Sequence, residues 1–142
     1  MLYINSEKPK LKIPDYFLAN SLVKEVYCVN GSEKQDGTVI NILDPENIEI
    51  GDKAFYNCQE LSIIEVGKKP DWPIAPYSIS YINANKLGSL ALASNQSLKK
   101  IGLHNIKILG IEALGDCKNL SDIYWNSTIE NDPFIYNKND IE

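Results

Sequence analysis

Residues 50–66 read IGDKAFYNCQELSIIEV, and the same arrangement of residues returns twice further along the chain. Residues 87–103 read LGSLALASNQSLKKIGL, and residues 109–125 read LGIEALGDCKNLSDIYW. The three segments share, without a gap, the frame (I/L)-G-x-x-A-(F/L)-x-x-(C/N)-x-x-L-x-x-I-x-apolar. A frame repeated at this length indicates a fold built by stacking copies of one structural unit.

A degraded fourth copy spans residues 13–28, without the Gly and the Ala of the frame. Five of its residues are assigned to frame slots: Phe17, Asn20, Val23, Val26 and Cys28. The last residues, 126–142, lose the frame and are interpreted as a C-terminal cap or tail. With 142 residues and 44% hydrophobic composition, the chain, residues 1–142, is predicted to be a single domain.

The two halves of each copy predict different local structures. The second half alternates apolar and polar residues, which predicts a strand with Ile64 and Val66 facing inward and Glu65 facing outward. The first half places a small residue between Gly and a large apolar residue, which indicates a tight turn or one helical turn. Such a unit cannot bury its own apolar face, so neighbouring copies must share one core.

Apolar pairs at strand spacing predict a ladder of seven parallel strands. The candidates begin at Leu2, Val26, Ile40, Ile64, Ile79, Ile101 and Ile123. Two of the steps, of 14 and 15 residues, are short and could be trimmed repeats or hairpins. We favour trimmed repeats, because the frame continues on both sides of each short step. In the later copies, matching extends into the return segment, where Tyr81, Ala84 and Leu87 are paired with Leu103, Ile106 and Leu109.

The block from Ile50 to Cys58, followed by Leu61, Ile64 and Val66, resembles the BspA-like leucine-rich repeat. The resemblance implies an α/β leucine-rich-repeat solenoid, right-handed and rich in β structure. It implies a parallel sheet on the concave side and short turns or one-turn helices on the convex side. Members of this family are typically bacterial surface or secreted proteins that act in cell adhesion and protein binding. The partner implied is therefore a protein, such as a host or cell-surface protein.

Composition argues against several other classes. Lys plus Arg total 14 against 19 Asp plus Glu, so no nucleic acid partner is expected. No run approaches the roughly 20 apolar residues of a membrane span, so no membrane insertion is expected, and the opening residues lack the pattern of a signal peptide. Three widely spaced cysteines and a single histidine predict neither a metal site nor a catalytic unit, and no cofactor motif is present.

The slot of the frame that holds Cys or Asn, here called the corner slot, is interpreted as structural. A small side chain there can fill the corner and bond to loop backbone. The residues assigned to it are Asn20, Cys58, Asn95 and Cys117. Trp125 stands where other copies have Val66 and Leu103, so it is predicted to be packed in the core.

Alternation along the strands predicts which side chains face a partner. The slot of Glu65 is expected to hold, in the other strands, Tyr3, Tyr27, Asn41, Ser80, Gly102 and Tyr124. One flanking column holds Glu25, Ile63, Lys100 and Asp122, and the other holds Gly67, His104 and Asn126. Tyrosines beside charged groups are typical of recognition surfaces, although tyrosine is also common on any exposed sheet. The predicted binding residues are Tyr27, Glu65, Lys100, His104, Asp122 and Tyr124.

Three functions are compatible with these features. The first is a non-enzymatic recognition module that binds a protein on its concave sheet. The second is a structural spacer, a fragment of a longer bacterial surface repeat protein whose ends continue the stack. The third is an enzyme in which His104 acts with Asp122 or Ser80, and it has no recognisable nucleophile.

Overall fold

The computed structural model of the chain describes residues 11–29, 38–41, 47–70, 80–127 and 129. These residues form ten strands in two sheets, all strand pairs are parallel, and no helix occurs among them. The strands are β1 Leu11–Ile13, β2 Glu25–Val29, β3 Thr38–Asn41, β4 Ile48–Ile50, β5 Ile63–Val66, β6 Ser80–Asn83, β7 Lys86–Leu87, β8 Lys100–His104, β9 Ile108–Leu109 and β10 Asp122–Asn126. The prediction of a β-rich fold with parallel pairing is confirmed.

A four-stranded sheet, in the order β1-β4-β7-β9, was not predicted from the sequence. Three of its strands end immediately before the Gly of the frame, as Ile50 precedes Gly51. Its inward residues are the apolar residues at the start of each copy, and Ile48 and Ile50 are fully buried. The strands are only two or three residues long, which made them hard to distinguish from the turns that follow.

The second sheet has six strands in the order β10-β8-β6-β5-β2-β3. Both short steps keep parallel pairing, since β2 pairs with β3 and β5 with β6, so neither is a hairpin. The predicted ladder order is wrong for β3, which among the described strands lies at the edge beyond β2 and not between β2 and β5. β2 and β5 pair directly because they end two consecutive copies of the frame. The strand predicted at Leu2 lies outside the described residues.

The register of β6 differs by one residue from the prediction. Tyr81 pairs with Gly102 and Ile82 with Leu103, whereas Leu87 pairs with Leu109 as predicted. Two residues connect β6 to β7, whereas three connect β8 to β9. This one-residue difference shifts the register of β6 and leaves that of β7 as predicted. The predicted orientations of two neighbours are therefore exchanged: Ser80 faces the core, and Tyr81 faces outward.

The core lies between the two sheets and is made of the apolar slots of the frame. In the copy at residues 50–66, the fully buried residues are Ile50, Ala54, Phe55, Cys58, Leu61, Ile64 and Val66. The same slots are buried in the copy at residues 87–103. Burying one large aliphatic or aromatic side chain stabilises a fold by about 1.5–3 kcal/mol, so the shared core supplies most of the force that stacks the copies.

Along the chain, each copy forms consecutive turns between its strand in the four-stranded sheet and its strand in the six-stranded sheet. The turns of neighbouring copies are hydrogen bonded to each other. The Phe55 N–H donates to the carbonyl of Ala91 at 2.8 Å, and the equivalent bond recurs in the next pair of copies. The frame Gly permits this close approach, because a Cβ on Gly88 would lie 2.6 Å from the carbonyl carbon of Gly51. Lys53 has a φ of 55°, which a helical turn does not allow.

The first copy is aligned differently from the prediction in its turn. The Leu18 N–H donates to the carbonyl of Ala54, which places Leu18, and not Phe17, in the slot of Phe55. Asn20 therefore stacks on Asn57, and Ser21 occupies the corner slot. The connection from Ser21 to β2 is one residue shorter than the equivalent connection to β5, which explains the error.

Candidate functional site

The six predicted binding residues all lie on one face of the six-stranded sheet. This outer face is the face opposite the core, and strand register determines which residues are neighbours on it. Tyr27 pairs with Glu65, Lys100 with Asp122, and Gly102 with Tyr124. The structure therefore brings the predicted residues onto one surface, in adjacent columns.

Burial separates these residues into two groups. Tyr27 is 2% exposed and His104 is 6% exposed, so neither presents a contact surface to a partner. The Tyr27 hydroxyl donates to Glu25 Oε1 at 2.6 Å, and Glu65 is half-buried. Lys100, Asp122 and Tyr124 are exposed, and we call these three residues the exposed strip.

The observed register also differs from the prediction in which residues share the slot of Glu65 across the strands. Tyr81, and not Ser80, is the neighbour of Glu65, and Val39, and not Asn41, is the backbone partner of Tyr27. Tyr81 is buried, and its hydroxyl donates to the carbonyl of Gly67 at 3.3 Å. Burial and the nearby Glu65 carboxylate raise the pKa of Tyr81 above its ordinary value. Tyr3 lies outside the described residues.

The exposed strip combines both signs of charge with an aromatic ring. Lys100 Nζ lies 3.7 Å from Asp122 Oδ2, and the two side chains are 50% and 49% exposed. Tyr124 is on the same face, beside Gly102, which carries no side chain to cover the ring. Ion pairs this exposed contribute about 1 kcal/mol or less to stability, so a partner can compete for either charge at low cost.

The residues of the enzyme hypothesis do not meet. His104 and Asp122 occupy neighbouring strands but differ by four positions along them, which separates them by about 13 Å at roughly 3.3 Å per residue. Ser80 is on the core side, where its hydroxyl accepts a hydrogen bond from the Ile64 N–H at 3.0 Å. Burial lowers the pKa of His104. No cluster of His, Cys, Asp or Glu suited to a metal ion occurs in the part of the chain that the structure describes.

The corner slot has the structural role that the sequence indicated. In three successive copies, the side chain in the corner slot donates a hydrogen bond to a backbone carbonyl of the preceding copy. That carbonyl belongs to the residue three positions before the preceding copy's own corner slot. The bonds are Cys58 Sγ to Leu18 O at 3.1 Å, Asn95 Nδ2 to Phe55 O at 3.0 Å and Cys117 Sγ to Leu92 O at 3.1 Å. Burial raises the pKa of both thiols, which is typical of structural cysteines.

Trp125 is exposed, against the prediction that it is packed. It faces the core side of β10, in register with Leu103, and Ile123 faces the same side in register with Ile101. The two side chains nevertheless remain 45% and 51% exposed. Within the described ranges β10 is the edge of the sheet, with β8 as its one strand partner, so no further strand covers these side chains.

Comparisons with protein families, curated proteins and solved structures give no match for this chain. Over the ranges that the structure describes, no helix has the length and apolar character needed to cross a membrane.

Proposed function

We propose that the chain is a leucine-rich-repeat solenoid of the BspA-like type and a non-enzymatic module that binds a protein on the outer face of its six-stranded sheet. The exposed strip is the observation that carries this function. It is the part of the predicted binding surface where charged and aromatic side chains reach solvent together.

The chemistry of the exposed strip suits a protein partner. A tyrosine ring supplies contact area at a small cost in conformational entropy, and its hydroxyl can form a hydrogen bond. The adjacent cation and anion can each bond an opposite charge, which favours a surface of mixed charge over a polyanion. Together with the family resemblance, this supports a role in adhesion by a surface or secreted bacterial protein that needs no cofactor.

A structural spacer is the second candidate, and the apolar end of the fold favours it. The core-facing side of β10 exposes Ile123 and Trp125, which in other strands are replaced by buried residues. A further copy of the frame would use such an exposed apolar strand face to continue the stack.

Affinity capture with paired variants tests the recognition function. The test variant combines Lys100→Glu with Tyr124→Ala, and the matched control combines Lys107→Glu with Tyr16→Ala at exposed positions away from the outer face. Circular dichroism first establishes that both variants are folded. We expect mass spectrometry to identify a protein that the wild type and the control retain and the test variant loses. Equal retention by both variants, or loss by the control, would contradict binding at the exposed strip.

A further inference from the structure

Among the residues that the structure describes, strand β10 is the edge of its sheet and lacks the usual protection. Edge strands in stable monomers generally carry charges, prolines or bulges that prevent pairing with another chain. β10 contains no proline, and its one charged residue, Asp122, already lies beside Lys100. All five of its residues are exposed, and three of them are large and apolar or aromatic: Ile123, Tyr124 and Trp125.

The residues of β10 are arranged symmetrically about Tyr124. The order is polar, apolar, tyrosine, apolar, polar, from Asp122 to Asn126. Such a sequence matches itself when a second copy runs antiparallel to it. With Tyr124 on the two-fold axis, Asp122 lies opposite the partner's Asn126, and Ile123 lies opposite the partner's Trp125.

We propose that β10 is a dimerisation strand that pairs antiparallel with β10 of a second copy of this chain. Directly opposed residues on paired strands have Cβ atoms about 4.5–5.5 Å apart, so two Ile–Trp pairs cover the exposed core side of both copies. On the outer face the pairing avoids like charges, because each Asp122 lies opposite an amide. These features fit an isologous interface, in which both copies contribute the same surface.

The proposed pairing joins the two six-stranded sheets and places both exposed strips on the same side. The dimer does not depend on the proposed function, because it rests on the edge and core side of β10 and not on partner binding at the outer face.

Sedimentation velocity of the full chain tests the dimer from about 1 µM to about 1 mM, the range in which weak complexes dissociate. We expect a reversible shift from 16.0 kDa to twice that mass. Trp125→Lys should raise the dimer dissociation constant at least about tenfold, because buried tryptophans are frequent binding hot spots. Leu22→Lys, which also replaces an exposed apolar residue, should leave the constant unchanged. Ile123→Lys repeats the test in case Trp125→Lys does not fold.

The register is tested at Asn126, whose side chain is exposed and outside the core. Asn126→Lys places a cation opposite the partner's Asp122 and should lower the dissociation constant, whereas Asn126→Asp places two carboxylates together and should raise it. A chain that stays monomeric over the whole range would overturn the proposal. A dimer that is insensitive to both lysine substitutions on the core side of β10, or that responds equally to Lys and Asp at position 126, would also overturn it.

Discussion

Replacing Asn95 with alanine removes three hydrogen bonds from a fully buried position between two copies of the frame. Asn95 Oδ1 accepts from the Cys58 N–H at 2.7 Å, and Nδ2 donates to the carbonyls of Phe55 at 3.0 Å and Leu92 at 2.7 Å. The Leu92 carbonyl still accepts from Cys117 Sγ, so the substitution orphans two backbone groups.

The expected cost follows from those two groups. A buried polar group left without a hydrogen bond costs about 1–3 kcal/mol, so Asn95→Ala should lower the free energy of unfolding by about 3 kcal/mol. Urea denaturation followed by circular dichroism measures this value from the midpoint and the slope. The loss would be a large fraction of the roughly 5–15 kcal/mol that stabilises a domain.

Asn95→Cys is the matched control, because Cys58 and Cys117 occupy the same slot in neighbouring copies. The thiol can donate to the Phe55 carbonyl and is only a weak acceptor for the Cys58 N–H. It should therefore cost about 1 kcal/mol, less than alanine. A free energy of unfolding for Asn95→Ala within about 0.5 kcal/mol of the wild-type value would be typical of a neutral surface substitution. That result, or an equal loss in the alanine and cysteine variants, would show that hydrogen bonding at the corner slot does not hold the copies together.

Two further predictions concern close packing and pH. Gly88→Ala should lower the urea midpoint far more than Gly115→Ala. A Cβ at position 88 would lie 2.6 Å from the backbone of Gly51 in the neighbouring copy, whereas a Cβ at position 115 would lie 3.0 Å from the Cβ of Glu112 in its own turn. Equal effects of the two substitutions would contradict the packing argument. Burial lowers the pKa of His104, so the unfolded chain binds more protons below about pH 6.5 and stability should fall there. His104→Asn should weaken this fall in urea titrations between about pH 7 and pH 5, and an unchanged pH profile would refute it.

The stacked copies and the core were predictable because burial leaves a periodic record in the sequence. Slots such as those of Ala54, Leu61 and Ile64 are occupied by the same class of residue in each clear copy, and the structure buries them in the copies at residues 50–66 and 87–103. In the last copy Ala113 is buried, Leu120 is half-buried and Ile123 is exposed. The frame also identified the corner slot, whose hydrogen bond is the same whether the residue is Cys58 or Asn95.

The errors arose where copies differ in length. A one-residue difference between β6 and β7 exchanged the orientations of Ser80 and Tyr81, because side chains alternate with a period of two. A similar difference after Ser21 displaced the first turn. The position of β3 could not be read from periodicity, since apolar spacing predicts a strand but not which edge of the sheet it joins.

Exposure on the outer face follows from neighbours and not from alternation. Tyr27 and Tyr124 occupy the same column of the sheet, yet they are 2% and 40% exposed. Tyr27 is on β2, which has a neighbouring strand on each side, and its hydroxyl donates a hydrogen bond to Glu25. Tyr124 is instead on β10, the edge strand of the described sheet, beside Gly102. Alternation therefore assigned both residues to the outer face, and the three-dimensional neighbours left only one accessible. A partner that binds this face would contact its β8–β10 end, where Lys100 and Asp122 also reach solvent.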